Sequence, residues 1–241
     1  MADKPNFRLA DELATRILLS QPKFDSLEID VTQLQYDYDI IFDSMQNYCK
    51  ITGTTWERMG FEKVKNGHTV KINTDKYLIL YNEEHSPERI NWTVGHEIGH
   101  IYFGHKDDGK KSEIETSCFT AQLITPESPI RKLAHEFGFL DFGWIYNNFF
   151  VSLQSSVKRV NTLNNKYYSK DRSSSLLINQ FSAPMQNLVK YFWKNSAQFN
   201  IDLAYAHYLL DEYRLAYEDS YNIKSSGNAK KAHSQKEVAF Y

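Results

Sequence analysis

Apolar residues along this chain recur at helical steps over most of its length and switch to a strand-like pattern in one short stretch. Leu9, Leu13, Ile17 and Leu18 predict a first amphipathic helix over about residues 9–20. Leu34, Ile41, Met45 and Tyr48 extend the same period and predict a second helix over 31–48. The period changes between residues 60 and 82. There His68-Thr69-Val70-Lys71-Ile72 and Tyr77-Leu78-Ile79-Leu80-Tyr81 predict two strands around the turn Asn73-Thr74-Asp75-Lys76. Ser86-Pro87-Glu88 is a helix start, with a hydroxyl N-cap, proline at the first helical position and an acid in the first turn. Ile90, Val94, Ile98 and Ile101 then give that helix one apolar face, and Gly104 gives it a C-cap. A further helix is predicted from Lys111 to Ile124, stopping before Thr125-Pro126.

Helical signals continue downstream. Ser128-Pro129 opens a helix that ends at Gly138, and residues 144–150 and 152–163 predict two more. Residues 164–182 are rich in Asn, Ser and Lys and read as a linker, followed by helical stretches over about 184–195 and 201–219. From Lys224 the chain is small, polar and basic, and disorder is expected.

The helix that starts at Ser86 carries the chemistry. His96-Glu97-Ile98-Gly99-His100 spells H-E-x-x-H, and on a helix its two histidines project from one face, one turn apart. That spacing suits two imidazole ligands of a zinc ion, with Glu97 beside them to polarise a water. Gly95 and Gly99 cost the helix about 1 kcal/mol each relative to alanine, which predicts close backbone packing or room for metal and substrate. A catalytic zinc needs a third protein ligand. His105 would point away from His96 if the helix continued, so it reads better as a capping or supporting residue. Asp107 and Asp108 lie in a polar loop and read as solvated. On the following helix, Phe119, Gln122 and Leu123 continue the stripe that holds Glu115, which turns Glu115 inward and leaves Glu113 about 200° away towards solvent. Glu115 is therefore the expected third ligand.

Two extended segments resemble the ImmA/IrrE-type zinc metallopeptidases. One runs from Tyr81-Asn82 through Arg89-Ile90-Asn91-Trp92-Thr93-Val94-Gly95-His96-Glu97-Ile98-Gly99-His100 to Gly104-His105. The other, Glu115-Thr116-Ser117-Cys118-Phe119-Thr120-Ala121-Gln122-Leu123-Ile124-Thr125-Pro126, is similar to the family's Glu-Ala-Asn-x-Phe-Ala-Ala-x-Leu-Leu-x-Pro signature. It departs at Thr116, Ser117 and Thr120, all still small. The recognisable part covers about residues 28–163. The resemblance implies that the family's metal-binding glutamate falls on Glu115. It further implies an α+β zincin-like metallopeptidase core, a small sheet over the H-E-x-x-H helix, with a C-terminal helical region. The expected division is a core over 1–126, a helix-turn-helix-like region over 127–163, a linker over 164–182, accessory helices over 183–223 and a disordered tail over 224–241.

The implied activity is that of a zinc-dependent endopeptidase, with Zn2+ on His96, His100 and Glu115 and with Glu97 as general base. Its implied substrate is a helix-turn-helix repressor whose cleavage relieves phage, mobile-element or stress-gene repression. Two rivals remain: a catalytically silent zincin that traps the repressor, and a DNA-binding regulator using residues 128–163. For the latter, Arg131, Lys132, Lys158 and Arg159 are the candidate phosphate contacts.

Composition narrows the setting. The net charge of −2 gives no general attraction to nucleic acid. No apolar run approaches a membrane span, and Met1-Ala2-Asp3-Lys4-Pro5 lacks the features of a signal peptide, so a cytoplasmic location is expected. Cys49 and Cys118 form no disulfide framework, in keeping with a reducing compartment. Tyr and Phe number 16 and 15, an excess expected to serve packing or an interface in the C-terminal third.

Overall fold

A computed structural model describes residues 4–61, 66–106, 109–166 and 171–227. It is helix-rich with a small three-stranded mixed sheet, an α+β arrangement. The chain opens with α1 (Phe7–Ser20), capped by the Asn6 side chain and burying Ala10, Ala14, Ile17 and Leu18. The sheet is formed by β1 (Asp39–Ser44), β2 (Gly67–Lys71) and β3 (Lys76–Tyr81) in the order β1-β3-β2. β2 and β3 form the expected antiparallel hairpin, with Thr69 opposite Ile79, and β1 runs parallel to β3. α2 (Met45–Thr52) follows β1 directly, with Ser44 as its N-cap.

The helix expected over 31–48 is corrected by this sheet. Residues 31–33 make one 3-10 turn, residues 39–44 form β1, and only the end of the segment is helical. Tyr36, Tyr38, Ile40 and Phe42 alternate and pack against the core. A period of two in aromatic and β-branched residues is strand chemistry. Pairing with β3 lets this alternation override the helical spacing of Leu34, Ile41 and Met45.

The two helices central to the fold are α3 (Pro87–Phe103) and α4 (Lys110–Ile124). α3 starts as its sequence predicts, with Ser86 Oγ accepting the Arg89 N–H and Pro87 in the first turn. Its two inner glycines permit a close approach to α4. A Cβ on Gly95 would stand 3.0 Å from Thr120 Cγ2, and one on Gly99 would stand 3.1 Å from both Thr116 Cγ2 and Phe119 Cδ1. α4 also packs along α1, so it is buried on two sides. Its buried Thr116 and Thr120 hydroxyls donate to the Ser112 and Thr116 carbonyls, which satisfies polar groups in a tight helix contact.

The remaining helices are α5 (Glu127–Phe137), α6 (Phe142–Asn148), α7 (Leu153–Asn165), α8 (Arg172–Gln180), α9 (Ser182–Lys194) and α10 (Ser196–Gly227). α8 lies where a linker was expected. Asp171 caps it, accepting the Ser174 N–H at 2.7 Å, and Leu177 and Phe181 are buried. Phe181 stacks on Phe24 with ring centroids 4.2 Å apart, tying this segment to the turn after α1. Its polar composition hides two well-placed apolar anchors. Aromatic residues join the C-terminal helices to the rest: Phe137 of α5 contacts Phe192 of α9 and Phe199 of α10. Residues 224–227 continue α10, and the tail expected to be disordered otherwise lies outside the described residues. No helix among the described residues is long and apolar enough to cross a membrane.

Candidate metal centre

His96 and His100 lie one turn apart on α3, on the side that meets α4 and away from the buried Ile98 and Ile101. Their Nε2 atoms approach to 3.2 Å. The third member of the cluster comes from the first turn of α4. Glu113 places Oε2 3.3 Å from His96 Nε2 and Oε1 3.4 Å from His100 Nε2. Among the described residues this trio is the group of His, Cys, Asp and Glu side chains that converges tightly enough to hold a metal ion. Tetrahedral zinc with bonds of about 2.0–2.1 Å separates its ligand atoms by about 3.3 Å. The observed spacings fit that size. The hydrogen bond with His96 outweighs burial and holds the Glu113 carboxyl below the usual carboxylate range.

Glu115, expected as the third ligand, is not brought to this cluster. Its carboxylate is buried on the α1 side of α4, where Oε1 accepts the Asn6 N–H at 2.7 Å and Oε2 lies 3.0 Å from His105 Nε2. A helix with a single buried face would turn Glu115 inward and Glu113 to solvent. α4 has two, and the stripe of Glu113, Thr116 and Thr120 is the one that meets Gly95 and Gly99 of α3. Small residues in register on two consecutive helices were the available signal, because they mark the stripe along which the helices touch. Asp107 and Asp108, the rival carboxylates, lie outside the described residues.

Glu97 stands next to the trio but faces the sheet. Thr69 Oγ1 on β2 donates to Glu97 Oε2 at 2.6 Å, which fixes the carboxylate and leaves it as an acceptor. Gly67 on the same strand makes this approach possible. A Cβ there would fall 2.5 Å from Thr93 Cγ2 and 3.2 Å from Glu97 Cγ. Among the described residues, β2 pairs only with β3, so its other edge is the sheet margin beside the cluster.

Other polar residues of α3, α5 and α7 have different surroundings. The Tyr102 hydroxyl accepts the Asp37 N–H at 3.0 Å, and burial pushes its pKa up to about 12. Arg131 pairs with Glu127 and donates to the Leu163 and Lys166 carbonyls. Arg159 is buried and donates to Gln122, while Lys132 pairs with Glu136. His135 is exposed on α5. Two of the four proposed phosphate contacts, Arg131 and Arg159, are thus committed to internal polar contacts.

Residues 54–160 match a protein-family model, Peptidase_M78, described as the IrrE N-terminal-like domain. The matched span contains β2, β3, α3, α4 and the whole cluster. It agrees with the resemblance carried by the two signatures. Searches of curated proteins and of solved structures give no significant match.

Proposed function

We propose that this chain, whose residues 54–160 match the IrrE N-terminal-like peptidase family model, is a zinc-dependent endopeptidase with a zincin-like core. The observation that carries the reading is the convergence of His96 Nε2, His100 Nε2 and Glu113 beside a Glu97 that Thr69 holds in place. His96, His100 and Glu113 are the proposed ligands, with Glu113 replacing Glu115. Zinc, when bound there, supplies Lewis acidity that acidifies a water and polarises the scissile carbonyl.

The chain's own residues do the rest. Glu97 accepts a proton from the attacking water as its oxygen bonds to the carbonyl carbon. It then returns that proton to the leaving nitrogen as the C–N bond breaks, so the base is regenerated. The hydrogen bond from Thr69 orients Glu97 without supplying a second base. An extended peptide added along the outer edge of β2, which pairs with no other strand among the described residues, would run past Glu97. A folded helix cannot bind in this way, because its backbone groups are already paired. The cut is therefore expected in a linker or frayed segment.

The substrate we propose is a helix-turn-helix repressor, and the family resemblance supports this part. Purified protein incubated with the repressor encoded beside its gene should give a single dominant cleavage that a chelator abolishes. Glu97→Gln should keep zinc and lose cleavage by several orders of magnitude. Wild-type biological activity in Glu97→Gln would instead favour a silent protein that traps its target.

A further inference from the structure

Three residues outside the ligand set continue from His100 into the protein. α3 ends at Gly104, and the chain turns back so that the His105 N–H donates to the His100 carbonyl at 3.1 Å. This places His105 Nδ1 3.2 Å from His100 Nδ1. The His105 ring is held by stacking on Phe103, with centroids 4.8 Å apart and planes 11° apart. Its far nitrogen, Nε2, meets Glu115 Oε2 at 3.0 Å, and the other Glu115 oxygen accepts the Asn6 N–H.

We infer that Glu115 and His105 form a relay that holds His100 in the tautomer a metal requires, an inference that rests on reading His96, His100 and Glu113 as the metal centre. For two uncharged rings, the state in which His100 Nε2 can hold a metal, the assignment of hydrogens follows from donor and acceptor capacity. An ionised carboxylate only accepts, so His105 Nε2 carries the hydrogen that Glu115 binds. Neutral His105 then has a bare Nδ1, and its contact with His100 is a hydrogen bond only if His100 Nδ1 carries a hydrogen. His100 Nε2 is left bare, and it is the atom that faces His96 and Glu113. Metal-binding histidines commonly donate their second ring nitrogen to a carboxylate or carbonyl, which fixes the ring and raises its basicity. Here an intervening imidazole spans the gap, and Asn6 at the start of α1 anchors its far end. Glu115 and His105 are positioning residues that act through His100.

The test uses full-length, zinc-loaded protein with 15N-labelled histidine. Long-range 15N–1H spectra should show a hydrogen on His100 Nδ1 and on His105 Nε2. Chelator competition should show zinc bound about 10–100-fold more weakly in His105→Leu than in wild type. His105→Gln, whose amide can accept from His100 and donate to Glu115, should recover most of that loss. Circular dichroism and thermal melting of each variant separate this effect from misfolding. A hydrogen on His105 Nδ1, or wild-type zinc affinity in a folded His105→Leu, would overturn the relay while leaving the metal centre intact. Failure of the wild-type protein to bind zinc would overturn the metal centre itself and, with it, the relay.

Discussion

Replacing Gly99 with alanine puts the α3–α4 contact and the metal centre under strain together. The added Cβ would sit 3.1 Å from Thr116 Cγ2, 3.2 Å from Thr116 Cβ and 3.1 Å from Phe119 Cδ1. Thr116 cannot swing aside without breaking its hydroxyl's hydrogen bond to the Ser112 carbonyl, and Phe119 is fully buried. Helix propensity alone favours alanine by about 1 kcal/mol. Overpacking of this kind costs about 1–3 kcal/mol, so the net expectation is a loss of roughly 1 kcal/mol. For a chain of this size, that lowers Tm by about 2–4 °C. Glu113 sits one turn before Thr116 on the same stripe, so a shifted α4 should also carry it away from the histidines and weaken zinc binding. Adding Thr116→Ala should restore part of both losses, with a coupling of at least about 0.5 kcal/mol. Thermal denaturation and chelator competition on the two single variants and the double variant measure this. A Gly99→Ala protein that melts higher than wild type with unchanged zinc affinity would refute the close-contact argument.

Two further outcomes test the site and its support. Wild-type protein should carry about one zinc per chain by elemental analysis, and Glu113→Ala should lose it; zinc retained in Glu113→Ala but lost in Glu115→Ala through failure to bind, with His105→Leu unaffected, would return the third ligand to Glu115. Burial pushes the Glu127 carboxyl up, but hydrogen bonds from Lys166 at 2.8 Å and Arg131 at 2.7 Å more than reverse it and leave it below the usual range. A lowered folded-state pKa stabilises above the unfolded value of about 4.3 and ceases to do so as pH falls through the folded one. Glu127→Gln should therefore melt below wild type at pH 7, and the gap should close below about pH 4; a gap that widens on acidification would contradict this.

Much of the site was legible because its signals are local. The Ser86 cap, Pro87, the helical spacing of Ile90, Val94 and Ile98, and the H-E-x-x-H spacing all act within a few residues, and they define α3 and its paired histidines without reference to the rest of the chain. The hairpin of β2 and β3 was likewise set by alternation around a polar turn. Periodicity gives the angle between side chains on one element, and so it correctly put Glu113 and Glu115 on different faces of α4. It does not say which neighbour each face meets. That was decided only when α4 packed between α1 and α3, sending Glu113 to the histidines and Glu115 to Asn6 and His105. β1 emerged for the same reason, since its alternation gained a partner only in β3. The return of His105 depends on Gly104 ending α3 with a φ of 64°, which reverses the direction a continued helix would have given it. The sequence by itself thus determined the chemistry available and the local frame that carries it; tertiary packing decided which of two nearby glutamates faces the histidines, because a helix buried on two sides offers both faces to the interior.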